Sequence, residues 1–278
     1  MKNLREHYFD LAKKSGRRVA MGVGDDFELQ NKCLETIRKA EKKGIKNILI
    51  IGKNLEHIKR ELPWVELEEN ENPEEYMITL LKQGKIQGAV RGSLSAKKTV
   101  LSIKKIYKIS SLLRFGPIDA SRERTFMLGP LGIDEGLTFD EKTKLIKCMI
   151  QVSKNLGLKP RIALMSLGRN EDVGRNKIVD KSIKDVVRLV EYADQNGIGN
   201  FICDSEILLE NLDKLGANCI LAPTGYIGNI MYRCLVHLGC GRSYGGYICG
   251  LPDAFIDTSR GGSVEEYLTA IAMAMSGV

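Results

Sequence analysis

The sequence predicts an α/β fold with largely parallel sheets, and three observations carry that reading. Strand-like and helix-like segments alternate along almost the whole chain, the pattern of strand–helix–strand units. The strand-like segments are continuous apolar, β-branched runs such as Lys46-Asn-Ile-Leu-Ile-Ile-Gly52, which suit strands covered on both faces. The chain has 278 residues, about twice the ~150 of one domain, which fits two lobes or one large domain.

Arg18-Val-Ala-Met-Gly-Val23 reads as a short buried strand ending at Gly22 and Gly24. Glu28–Lys43 reads as a helix with Cys33, Leu34, Ile37 and Ala40 on one face, stopped by Gly44. After the 46–52 strand come a helix over Leu55–Leu62, an acidic surface loop over Glu66–Glu75 and a helix over Glu75–Gln83. Ile86–Val90 is a strand that leads into the loop Arg91-Gly-Ser-Leu-Ser-Ala and another helix. In the second half Phe139–Leu156 is a helix closed by Gly157, Arg161–Leu167 a strand and Gly168–Gly174 a polar loop. Ile178–Ala193, Glu206–Leu215 and Ile227–Leu238 read as helices. Asn200–Cys203 and Cys219–Ala222 read as strands, the second stopped by Pro223. Tyr247–Leu251 and Ala254–Ile256 are short strands, and Ser263–Met275 is the last helix. Lobe boundaries are expected near Gly129–Gly132 and Gly239–Gly250, giving residues 1–129 with 250–278 as one lobe and 130–249 as the other.

Hydrophobic residues make up 43% of the chain and charged residues 28%, which excludes a mostly disordered protein. The net charge is +7, but Lys and Arg are scattered and aromatics are only 6%, so no nucleic-acid partner is expected. The same surplus suits a small anionic substrate. None of the seven cysteines forms a C-x-x-C pair, and an odd count fits thiols better than a disulfide framework. Met1–Arg18 has no apolar signal core. No window reaches the ~18 apolar residues of a membrane span, so no membrane partner is expected and the cytoplasm is the expected compartment.

The sharpest local signal is Asp257-Thr-Ser-Arg-Gly-Gly-Ser-Val-Glu-Glu266. Ser263 fits an N-cap, and Glu266 three residues on would complete a capping box. Gly261 and Gly262 let backbone approach a ligand, the helix start offers bare N–H groups, and Arg260 adds a planar fork suited to phosphate. Together they describe an anion site. The same pattern also fits a plain capped helix behind a glycine turn, with Arg260 in solvent. Arg91-Gly-Ser93 follows a strand, where open α/β sheets bind ligands, so Arg91 and Ser93 are further anion-contact candidates beside the reading of a solvated turn. Gly22-Val-Gly24-Asp-Asp lacks the third glycine of a dinucleotide loop, and Gly52-Lys53 lacks the spacing of a phosphate-binding loop. His7, His57 and His237 form no cluster, and no metal is indicated.

With these residues in view, the chain resembles the phosphate acetyltransferase/butyryltransferase superfamily, of the isocitrate/isopropylmalate dehydrogenase-like fold. That family carries an Asp, then Ser-Arg-Gly, then Ser-Val-Glu-Asp opening a late helix. Ala217-Asn-Cys-Ile-Leu-Ala-Pro-Thr-Gly-Tyr-Ile-Gly-Asn-Ile-Met-Tyr232, Ile162-Ala-Leu-Met-Ser-Leu-Gly168 and Asn47-Ile-Leu-Ile-Ile-Gly-Lys53 match further segments of it in the same order. Within that superfamily the chain looks most like a methanogen, hence archaeal, branch called methanogen marker protein 4 or MtxX, which carries a provisional label as a methyltransferase subunit. Gly168-Arg-Asn-Glu-Asp-Val-Gly174 and the Gly-Ser-Leu-Ser run after Arg91 suggest that branch.

The resemblance implies two three-layer α/β lobes with a cleft between them. The C-terminal segment would return to the first lobe with the Ser-Arg-Gly run, and the second lobe would form a homodimer. It implies Ser259 and Glu266 as catalytic candidates. Arg260, Gly261, Gly262, Ser263, Arg91, Ser93 and Asn229 are the substrate-contact candidates, and coenzyme A or acyl-CoA is the cosubstrate. Three residues depart from the family: Glu266 stands for a family Asp, Thr224 for the Asp after Pro223, and Arg91 for a small residue of an Ala-Gly type stretch. Three functions follow as expectations. The first is a phosphate acyltransferase-like transferase. The second is a methyltransferase subunit in methanogen one-carbon metabolism, working with partner subunits. The third is a non-catalytic metabolite-binding relative.

Overall fold

The computed structural model describes residues 4–121 and 124–278. The fold is mixed α/β, with strands that pair mostly in parallel. By contacts the chain divides into a terminal unit, residues 4–112 with 243–278, and a middle unit, 113–242. The sequence reading placed those divisions at 129/130 and 249/250. In the structure the strands Arg114–Asp119 and Thr125–Gly129 form an antiparallel pair that belongs wholly to the middle unit.

The terminal unit opens with α1 (Leu4–Ser15), β1 (Val19–Val23), α2 (Phe27–Lys42), β2 (Ile48–Gly52) and α3 (Glu56–Glu61). β3 (Glu66–Glu69), α4 (Pro73–Lys82), β4 (Gly88–Val90) and α5 (Ala96–Tyr107) follow. Asp26 starts α2, its side chain accepting from the Glu28 and Leu29 amides. Ser95 caps α5 in the same way through the Lys98 amide. β3 replaces the loop expected over Glu66–Glu75. It runs parallel to β2 as an edge strand, and Arg18 pairs with both Glu66 and Glu68. Charged side chains are a usual feature of such an edge.

The middle unit contains β5 (Arg114–Asp119), β6 (Thr125–Gly129), α6 (Phe139–Asn155), β7 (Ile162–Met165), α7 (Lys177–Gln195), β8 (Ile202–Glu206), β9 (Cys219–Leu221) and α8 (Gly225–Arg233). Its strands pair in the order β5-β6-β9-β7-β8, antiparallel only between β5 and β6. Ile118, Phe126, Leu128, Ala163 and Ile220 form a core with Met231 and Leu235 on one face. Thr138 and Glu141 form a full capping box at α6. One expectation fails here, and another holds with a change of helix type. Glu206–Leu215 is not a helix: Glu206 has a left-handed φ of 52°, and only a single 3-10 turn at Leu209–Asn211 follows. The 227–238 helix begins earlier and ends at Arg233, passing into a π turn over Cys234–Leu238.

After β10 (Arg242–Ser243) the chain completes the terminal unit with β11 (Gly246–Ile248), β12 (Ala254–Asp257) and α9 (Val264–Ser276). The terminal sheet runs β3-β2-β1-β4-β12-β11, parallel from β3 to β12, with β11 antiparallel. α4 and α5 pack on one face, over Ala20, Leu49, Ile51, Ala89 and Phe255. α9 packs with α1, α2, β4 and β12. It is buried from Glu266 to Met275, which explains why the stretch after Glu266 is apolar on nearly every side. Each of its fully buried Leu, Ile and Met side chains contributes on the order of 1.5–3 kcal/mol. Cys33, Cys203, Cys219, Cys234 and Cys240 are free thiols. Cys148 and Cys249 are disulfide-bonded, so the expectation of thiols throughout does not hold for those two.

Candidate functional site

The site lies at the carboxyl ends of β1, β4 and β12, all in the terminal unit. Because β12 runs parallel to β4, with Ile256 opposite Val90, the loops after the two strands emerge side by side. Two sequence segments some 160 residues apart thus become neighbours. Arg91 pairs with Asp257 through its Nε and donates to the Leu94 carbonyl at 2.9 Å. The Thr258 hydroxyl donates to the Gly92 carbonyl at 3.0 Å. Gly92 sits at φ +59°, where an added Cβ would stand 2.0 Å from the Gly22 carbonyl oxygen, so the β1 and β4 loops meet only because this residue is glycine. Ser93 faces both sides: its hydroxyl accepts from the Gly24 amide at 2.8 Å, and its carbonyl accepts from Arg260 Nε at 3.3 Å.

Arg91 and Ser93 are therefore placed with the Ser259–Ser263 segment, but both are buried. The solvated-turn reading of Arg91 is overturned by its bonds to Asp257 and Leu94. Arg260 itself is exposed, tethered through Nε, and Gly261 is exposed beside it.

The capping box expected at α9 is only half formed. Ser263 accepts from the Glu266 amide at 3.1 Å, as an N-cap should. The Glu266 carboxylate does not return the bond to Ser263. It reaches seven residues back and accepts from the Ser259 amide at 2.8 Å. Gly262 makes room for it, because a Cβ there would meet all three carboxyl atoms at 2.7 Å. Burial pushes the Glu266 carboxyl above the usual carboxylate range. The Ser259 amide, the Ser243 hydroxyl and Arg91 oppose that shift, and Asp257 adds to it.

Two residues of the site were not visible in the sequence. Lys32, on α2, donates to the carbonyls of Arg260 at 2.6 Å and Gly262 at 2.9 Å, so it straps the glycine turn to α2. Burial lowers its pKa, and Glu266 opposes that shift. Tyr267 lies beneath Lys32, whose ammonium is 4.7 Å from the ring centroid. No local pattern marks Lys32, since its partners are more than two hundred residues away.

Asn229 lies in the middle unit, on α8. It donates to the Leu131 carbonyl at 2.8 Å and accepts from Arg233 Nε at 2.9 Å. Thr224 is the first residue before that helix and makes no side-chain capping bond. Among the described residues, no group of three or more His, Cys, Asp and Glu is placed to hold a metal ion. Among the described residues, no helix is long and apolar enough to cross a membrane.

Chemically, the arrangement joins a tethered but solvent-facing guanidinium, a helix start and a buried carboxyl of raised pKa within one short loop. Such a set can hold an anion and move a proton beside it.

A protein of Methanosarcina barkeri, provisionally named methyltransferase mtx subunit X, is 31% identical over 267 residues, 95% of each chain. The chain belongs to the mtx subunit X family. An uncharacterized methyltransferase of Methanocaldococcus jannaschii is 34% identical over 93% of this chain and 97% of its own. More distantly, the phosphate acetyltransferase of Borreliella burgdorferi is 23% identical over 72% of this chain and 64% of its own. Among solved structures, a branched-chain phosphotransacylase from Enterococcus faecalis superposes with a TM-score of 0.73 at 18% identity, covering 94% of this chain and 98% of that one. The fold is thus that of the phosphotransacylases. No family model matches the chain.

Proposed function

We propose that this mtx subunit X member is a transferase of the phosphate acyltransferase type, which binds a small acyl phosphate at the start of α9 and takes coenzyme A as cosubstrate. One observation carries the reading: Glu266, buried and raised in pKa, is held on the Ser259 amide beside the exposed Arg260 guanidinium. Arg260 and the N–H groups at the start of α9 hold the phosphate. Glu266, as the carboxylate, takes the proton of the thiol, and the thiolate forms a bond to the acyl carbonyl carbon. The Ser259 hydroxyl donates to the oxyanion that develops there. The carbon–oxygen bond to phosphate then breaks, and phosphate leaves with the electron pair. Acyl-CoA and inorganic phosphate are the products.

The test is incubation of pure protein with coenzyme A and acetyl or butyryl phosphate. The reading expects thioester for at least one acyl length. Ligand binding without thioester at any length would leave a non-catalytic metabolite-binding relative. No binding would remove the reading altogether.

A second reading is favoured by the relatives' names: a subunit of a methyl-transferring assembly in methanogen one-carbon metabolism, with the site holding an anionic part of the donor. Affinity capture from a methanogen lysate separates it from the first, since it requires a corrinoid or pterin protein among the captured partners. Both readings carry a cytoplasmic homodimer. Exposed Tyr226 and Ile230 on α8, with Leu238 just beyond, favour the middle unit as its contact. Sedimentation of pure protein tests that assembly.

A further inference from the structure

Tyr267 is 1% exposed, and its hydroxyl has no hydrogen-bond partner among the described residues. Buried polar atoms in folded proteins are nearly always bonded, so this phenol needs an account. Its position supplies one. Helical side chains lean toward the N-terminus, which carries the ring from the fourth residue of α9 toward the Ser259–Ser263 loop. The Lys32 ammonium that holds the Arg260 and Gly262 carbonyls lies over the same ring. Arg91, Glu266, Cys33 and Arg260 are the charged and titratable groups that act on the hydroxyl. Glu266 is engaged by the Ser259 amide, and Arg91 by Asp257 and Leu94. Burial raises the pKa of both the phenol and the Cys33 thiol, so both stay neutral and the phenol remains a donor. A buried phenol donor with two guanidinium groups around it matches an anionic oxygen.

We propose that the Tyr267 hydroxyl contacts the ligand, donating a hydrogen bond to an oxygen of the anion bound at the start of α9. It thereby selects ligands whose charged end reaches below the Ser259–Ser263 loop. This rests on the anion-site reading given above. Tyr267→Phe removes the oxygen and nothing else. Binding of inorganic phosphate is measured by calorimetry for the wild type and Tyr267→Phe, together with the ligand-free melting temperature of each.

The expected result is about 10-fold or greater weakening of phosphate binding in Tyr267→Phe with an unchanged ligand-free melting temperature. Equal phosphate affinity in the two proteins overturns the role of the hydroxyl and leaves the anion site standing. A lower ligand-free melting temperature with equal loss of binding also overturns it, because the hydroxyl would then be a structural group. Absence of phosphate binding to the wild type overturns both the hydroxyl's role and the site it belongs to.

Discussion

The carboxylate of Glu266 and the backbone amide of Ser259 are joined by a 2.8 Å hydrogen bond that bypasses the N-cap residue between them. That bond sets Glu266 apart from a capping-box partner. A capping partner would face Ser263, whereas this carboxylate faces the Ser-Arg-Gly run. The helix start is still capped, by the Ser263 hydroxyl alone.

The first prediction concerns pH. The folded-state pKa of Glu266 is raised above the ordinary 4.5, so the folded protein favours the protonated form. The stability this contributes is fully present below the unfolded pKa and is lost as pH rises through the raised folded value. Above about pH 4.5 the wild type should therefore lose melting temperature relative to Glu266→Gln, which has no proton to lose. Over the same window wild-type acyl transfer should rise as the carboxylate forms, while Glu266→Gln stays inactive. Melting curves of the two proteins across pH check this, and parallel curves would contradict it.

A second prediction tests the room made by Gly262. Its Cβ position lies 2.7 Å from the Glu266 carboxyl atoms, so Gly262→Ala must displace a buried, bonded carboxylate. Transfer activity should fall by about 10-fold or more, since proton transfer needs hydrogen-bond reach of ~3 Å. Gly261→Ala, with only the Ser259 hydroxyl 3.8 Å from its Cβ, should be mild. Steady-state rates of the two variants make the comparison, and equal rates would count against it.

The third prediction concerns the Arg91–Asp257 pair, whose side chains are 7% and 17% exposed. Removing one partner of a buried pair leaves a charge with less compensation and costs about 3–5 kcal/mol. Arg91→Ala should lower unfolding stability by roughly that amount in a denaturant titration. A change below about 1 kcal/mol would show that the pair holds the β4 and β12 loops together less than its burial indicates.

Much of this was legible in the sequence, and the failures have physical causes. The run that became β2 and the Tyr267–Met275 stretch of α9 were readable because burial on every side favours apolar residues. β3 was missed because its residues are Glu-Leu-Glu-Glu and it is itself the edge of the sheet, paired with β2. For Met1–Arg18 the sequence showed the lack of an apolar signal core but not the buried face of α1. Its Leu4, Tyr8, Phe9 and Ala12 stripe is buried, and α1 packs on a helix at the other end of the chain. In the site, the Ser259–Glu266 run was visible because its chemistry is local. Arg91 and Ser93 were visible because they follow a strand. Lys32 and Tyr267 were not, since one acts across 228 residues and the other reads as an ordinary core aromatic.

The central claim is that an anion binds at the start of α9 in the grip of Arg260. Arg260 is exposed, so Arg260→Ala should leave the ligand-free melting temperature unchanged. Calorimetric titration with acetyl phosphate tests the claim most directly. One ligand should bind per wild-type chain, and binding should weaken by about 10- to 100-fold in Arg260→Ala, the loss expected of a charge-assisted contact. Equal affinity in the two proteins would contradict the claim.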